Sequence, residues 1–195
     1  MATQRLFVGL PLPKSYQQGL ADLRLALARS LSGKFSWTEP GHWHLTLKFL
    51  GDTAVDAIPA VQEALAGMAF ASLALRAGGG GFFPSPTRPR VIWVGLGQGG
   101  RACADLAARI EAALTPLGIP PEDRAFSAHL TVGRVKSADP GQDWHKALEI
   151  MLKTEWEDIV VDRFVLWRSI LRGSSKPGSP PGPEYVPLGV YPASG

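Results

Sequence analysis

Apolar and polar positions alternate with a period of two in several short runs of this chain and with a helical period in others. Residues 5–10 read as a first strand. Residues 13–31 follow at helical spacing, with Leu20, Leu23, Leu27 and Leu31 on one stripe and Arg24 and Arg29 off it. Residues 43–50 alternate as a second strand that should stop at Gly51, and Asp52 or Thr53 is placed to cap a helix to about Met68. Residues 71–76 and 90–96 predict strands on either side of a Gly/Pro loop at 78–89. Gly97 to Gly100 should turn into a helix to about Leu117, ended by Gly118 and Pro120. A loop carrying Glu122, Asp123 and Arg124 leads to a further strand at 126–133. A helix at 144–153, a long strand at 159–171 and a short one at 184–190 complete the pattern, with residues 173–183, including Lys176, read as a mobile Gly/Ser/Pro loop.

Two of these strands carry the same tripeptide. His44-Leu45-Thr46 and His129-Leu130-Thr131 lie 85 positions apart, too far for a solenoid repeat and suited to a duplicated lobe. Side chains at i and i+2 of a strand share a face, so His44 stands with Thr46 and His129 with Thr131, while Leu45, Leu47, Leu130 and Val132 turn away. A single His-x-Thr carries little information, since Thr is ordinary strand chemistry. Two copies in matching strands at half-chain spacing form a kit of two imidazoles and two hydroxyls for acid–base work and oxyanion binding. The expected fold is α+β: a single domain over residues 1–195 with two pseudo-symmetric lobes. Each lobe is an antiparallel β-sheet with outer helices, and the cleft lies between them.

Composition narrows the chemistry. At 195 residues and 45% apolar content the chain can bury a core. A formal charge of +3 tolerates an anionic partner without requiring one. The one cysteine, Cys103, rules out an internal disulfide and any multi-cysteine zinc site. The apolar run at 6–10 is short and stops at Pro11, unlike a signal peptide, and no stretch has the length of a bilayer span. A cytoplasmic protein is expected. His42 reads as a loop histidine at the mouth of the first motif strand, and His145 as a surface residue at a helix start. Gly95-Leu96-Gly97-Gln98-Gly99-Gly100 fits the dinucleotide-binding spacing, but no apolar strand ending in an acidic residue follows, so the glycines read as a turn.

Nearly the whole chain resembles the two-histidine phosphoesterases, specifically the RNA 2′,3′-cyclic phosphodiesterases, also called 2′-5′ RNA ligases. The match rests on His44-Leu45-Thr46-Leu47 and His129-Leu130-Thr131-Val132. It extends through Arg5-Leu6-Phe7-Val8-Gly9-Leu10, Leu47-Lys48-Phe49-Leu50-Gly51, Gly81-Phe82-Phe83-Pro84, Pro89-Arg90-Val91-Ile92-Trp93, Leu166, Ser169 and Gly182-Pro183-Glu184-Tyr185. Ala128 and His42 depart from the family's usual Pro and Asn. The resemblance implies hydrolysis of RNA or nucleotide 2′,3′-cyclic phosphates to 2′-phosphomonoesters, with His44 as acid and His129 as base. It implies Thr46 and Thr131 on the phosphate oxygens, no metal or other cofactor, and a reverse ATP-independent 2′-5′ ligation. The implied partner is RNA with a cyclic-phosphate end or a cyclic nucleotide, with no membrane and no obligate protein partner.

Arg134, five residues after His129, is the family's phosphate-holding position. Strict alternation turns it away from His129, and a bulge at Gly133 would bring it back. Phe49, five after His44, reads as core. Two rival readings stand beside this one: a non-catalytic RNA-binding module retaining the cleft, and a dinucleotide-dependent oxidoreductase built on the glycine loop.

Overall fold

The computed structural model describes residues 2–171 and 182–194. It contains the strands β1 Thr3–Pro11, β2 Gly33–Trp37, β3 His44–Ala54, β4 Leu73–Ala77, β5 Gly81–Phe83, β6 Val91–Val94, β7 Leu96–Gln98, β8 Leu130–Ala138, β9 Ile159–Val161, β10 Arg163–Leu171 and β11 Pro183–Pro192. Its helices are α1 Lys14–Ser30, α2 Ile58–Ala66, α3 Gly100–Leu114 and α4 Trp144–Lys153. All pairings are antiparallel, in a four-stranded sheet β11-β10-β1-β3, a second in the order β2-β8-β6-β5, and a small third sheet β7-β4-β9. The α+β expectation holds, and the third sheet is additional to it.

The helices lie on the outer faces. α3 packs behind β3 with α2 beside it, and α1 packs behind β8 with α4 beside it. The leucine stripe of α1 is buried as its spacing predicts, Leu20 and Leu27 completely. Each such side chain contributes about 1.5–3 kcal/mol of apolar burial. α4 starts where Asp143 accepts hydrogen bonds from the amides of His145 and Lys146.

Several boundaries differ from expectation. The first motif strand passes Gly51 and continues to Ala54, because Thr53 and Ala54 pair with Gln4 and Thr3. Asp52 and Thr53 are therefore strand residues, and α2 starts later without a side-chain cap. β2 and β5 are strands where none was expected. The predicted strand at 90–96 is two strands, β6 and β7, and the one at 159–171 breaks at Asp162 into β9 and β10. The loop expected at 173–183 lies outside the described residues except for its last two positions. Among the described residues no helix is long and apolar enough to cross a membrane.

Candidate active site

The two four-stranded sheets meet at a cleft of about 610 Å³, and His44, Thr46, His129 and Thr131 all line it. The two motifs share a local geometry. His44 Nδ1 donates to the carbonyl of His42 at 2.8 Å, and His129 Nδ1 donates to the carbonyl of Ser127 at 2.7 Å. A carbonyl oxygen only accepts, so Nδ1 carries the hydrogen in both rings and Nε2 is left for chemistry. Neither threonine hydroxyl is taken up by a protein partner among the described residues. Two free nitrogens and two free hydroxyls therefore face one volume.

Each motif strand is then interrupted at the same point. On β3 the register against β1 passes from Thr46 to Lys48, leaving Leu47 as an extra residue. On β8 the register against β6 passes from Thr131 to Gly133, leaving Val132 as an extra residue. A one-residue bulge reverses the facing of the residues that follow it. Arg134 thereby lines the cleft with His129. Phe49 lines it with His44 and is 54% exposed, so the core reading of Phe49 is corrected by the bulge at Leu47. Gly133 has no room for a side chain, since a Cβ there would lie 2.7 Å from the Trp37 ring.

The same reversal drives Lys48 inward, where only 3% of it is exposed. Its ammonium reaches Glu111 Oε2 at 3.0 Å and the Pro120 carbonyl at 2.9 Å. The same carboxylate oxygen accepts from the Glu122 amide at 2.8 Å, and that hydrogen bond, with Lys48, holds the Glu111 carboxyl below its ordinary pKa. Lys48 thus ties the first motif strand to the start of the loop that leads to His129.

Aromatic rings wall both histidines. The Phe7 ring lies 4.7 Å from His44, the Tyr185 ring stands edge-on at 5.1 Å, and Trp167 is at 5.6 Å. Phe83 stands edge-on to His129 at 5.1 Å and stacks on Trp93. Burial among these rings pushes the His44 imidazole down to about 4, and the positive fields of His42 and His129 act in the same direction. His42 lies in the loop before β3, as expected, yet it also reaches the cleft, with its ring edge-on to Tyr185 at 5.4 Å. Glu39 is the one carboxylate among the described lining residues, and it is neutralised by Arg24 at 2.9 Å. With Arg5 and Arg134 also present, the cleft is set for an anion.

The sequence profile of the family described as LigT like Phosphoesterase matches residues 10–93 and 95–176. This chain belongs to that family. An RNA 2′,3′-cyclic phosphodiesterase of Archaeoglobus fulgidus is 33% identical over 190 residues, spanning 96% of this chain and 99% of the relative. One from Aeropyrum pernix is 33% identical over 152 residues, spanning 78% and 86%. Among solved structures, a Thermus thermophilus protein, TT0787, superposes with a TM-score of 0.75 at 26% identity, over 96% of this chain and 97% of that one. The fold is also that of Escherichia coli LigT complexed with 3′-AMP, with a TM-score of 0.72 at 22% identity over 99% of both chains.

In this LigT-like phosphoesterase the glycine-rich segment is no dinucleotide loop. Leu96–Gln98 is a strand antiparallel to β4, and Gly99 takes φ 85° in a turn where a Cβ would lie 2.5 Å from the Ala74 carbonyl. Among the described residues no three His, Cys, Asp or Glu side chains gather as a metal site requires. The four motif residues, legible as a pair of repeats, meet in the cleft, and Arg134 joins them through the bulge on which its placement depended, but the walls of the cleft were not singled out. Phe7 and Tyr185 were legible only as parts of family-like segments.

Proposed function

We propose that this protein hydrolyses 2′,3′-cyclic phosphates at RNA ends or on nucleotides, leaving a 2′-phosphomonoester and a free 3′-hydroxyl. The observation that carries the reading is the duplicated geometry: two imidazoles on opposed sheets, each with Nδ1 tied to the carbonyl two residues earlier and Nε2 free.

In-line displacement needs a base behind the attacking water and an acid beyond the leaving oxygen. His129 Nε2 takes the water's proton as its oxygen bonds to phosphorus. The phosphorus–O3′ bond breaks, and His44 Nε2 gives its proton to the departing O3′. Thr46, Thr131 and Arg134 hold the non-bridging oxygens, where a guanidinium fork matches two oxygens at once. The acid and base roles follow the family resemblance. Burial works against a charged His44, so a phosphate anion in the cleft is what draws the proton onto it. With a 5′-hydroxyl in place of the attacking water, the same steps join the cyclic-phosphate end to that hydroxyl in a 2′-5′ linkage without ATP, because the strained ester carries the activation.

The test is a short RNA with a 2′,3′-cyclic phosphate end, with products resolved into 2′- and 3′-phosphates. The 2′-phosphate should accumulate. Binding without turnover would replace this reading with that of an RNA-binding module, and a 3′-phosphate product would make O2′, not O3′, the leaving oxygen that the acid protonates.

A further inference from the structure

β1 runs without a bulge against β10, so Arg5 and Phe7 share a face, and Arg5, Ser169 and Tyr185 form one row across β1, β10 and β11. The neighbouring row holds Phe7 and Trp167, the rings that wall His44. Arg5 therefore stands one row farther from the histidine than Phe7, about 7 Å along the strand. That is comparable to one nucleotide step of an extended single strand. Arg5, Ser169 and Tyr185 all line the cleft.

Among the described residues neither Arg5 nor Arg134 forms an ion pair. Asp52 lies opposite Arg5 on β3 without pairing to it. Burial raises the Tyr185 phenol above its ordinary pKa, while Arg134 and then Arg5 pull it back, so its hydroxyl lies in the field of both guanidiniums. A cyclic phosphodiester carries one negative charge, which Arg134 is enough to match. A second unpaired guanidinium, one row beyond the Phe7 ring, is then left for another anion.

We propose that Arg5, with the hydroxyls of Tyr185 and Ser169, forms a second anion site for the phosphate on the 5′ side of the nucleoside bearing the cyclic ester. The substrate is then the end of an RNA strand in preference to a free cyclic nucleotide. This rests on the cyclic-phosphate reading above and adds to it the residues that select an RNA end.

The experiment compares adenosine 2′,3′-cyclic phosphate with the same compound carrying a 5′-phosphate, and with a dinucleotide ending in the cyclic phosphate. In the wild type the added phosphate should raise kcat/KM about tenfold at low salt, an advantage that shrinks as ionic strength rises. Arg5→Gln should collapse that ratio toward one, and Tyr185→Phe should lower it in part, with melting temperatures confirming that both variants fold. A wild-type ratio near one, or a ratio unchanged in Arg5→Gln, overturns the proposal. If no compound is turned over, the activity reading fails, but the second site is still decided by calorimetry. Adenosine 2′,5′-bisphosphate should then bind more tightly than adenosine 2′-phosphate in the wild type and lose that advantage in Arg5→Gln. Equal affinities would overturn it.

Discussion

Phe49 and Arg134 occupy the same place on two different strands. Each follows its motif histidine by five residues, and each is turned into the cleft by a single extra residue three positions after that histidine. One strand thus offers an apolar ring and the other a guanidinium at matching points of one cavity.

Arg134→Ala should raise KM by roughly 10- to 100-fold, since a charge-assisted hydrogen bond contributes about 1.5–3 kcal/mol. It should also flatten the dependence of KM on salt. Arg134→Lys should recover only part of the loss, because an ammonium lacks the two-pronged fork. Kinetics at two ionic strengths would check this, and an unchanged KM would remove Arg134 from substrate binding.

Removing either imidazole should lower kcat by roughly 10²–10⁴. Replacing the bridging O3′ of the substrate with sulfur creates a leaving group that needs no proton. His44→Ala should then recover most of its rate on the thio substrate, while His129→Ala should stay slow. Recovery in His129→Ala instead would exchange the two roles.

The pH profile follows from the His44 environment. The reactive pair holds one proton, so kcat/KM falls at low pH when a second proton binds and at high pH when the first is lost. Burial holds His44 down to about 4, so the second proton binds only near there. The acidic limb should lie well below the ordinary histidine value of about 6.5. Stability carries the opposite face of the same effect. Between about pH 6.5 and 4 the unfolded chain protonates His44 while the folded protein resists, so folding weakens as pH falls, by at most ~3 kcal/mol. His44→Gln should flatten that decline in urea melts taken across this range.

Glu111→Ala should destabilise the fold by about 2–3 kcal/mol, because it leaves a buried ammonium with one carbonyl for company. Lys48→Met should cost less: the Met stem keeps the apolar packing, and Glu111, about a third exposed, can turn to water. Denaturant titration of both variants would show the order, and a reversed order would mean that the bonds made by the ammonium outweigh the cost of stranding its charge.

Much of this fold was legible because local pattern and tertiary pairing agree. α4 begins and ends where its periodicity places it, and the leucines of α1 are buried as a stripe. The exceptions come from pairing that local pattern does not contain. Asp52 and Thr53 look like helix caps, yet the partner strand at Thr3 and Gln4 extends β3 through them. β2 alternates over five residues only, and it becomes a strand by pairing with β8 from residues about a hundred positions away. Of the site, the paired motifs were readable from repetition. Phe49 was not, because a bulge leaves no mark in an alternating sequence.

The sheet order makes the two ends of the chain depend on each other. The sheet holding His44 draws β10 and β11 from the far end of the chain, while the sheet holding His129 borrows β2 from the beginning. Neither half of the chain can therefore complete either sheet by itself. Cutting the chain in the loop at residues 67–72 should therefore give two fragments, each aggregation-prone alone, that restore the fold and cleft when expressed together.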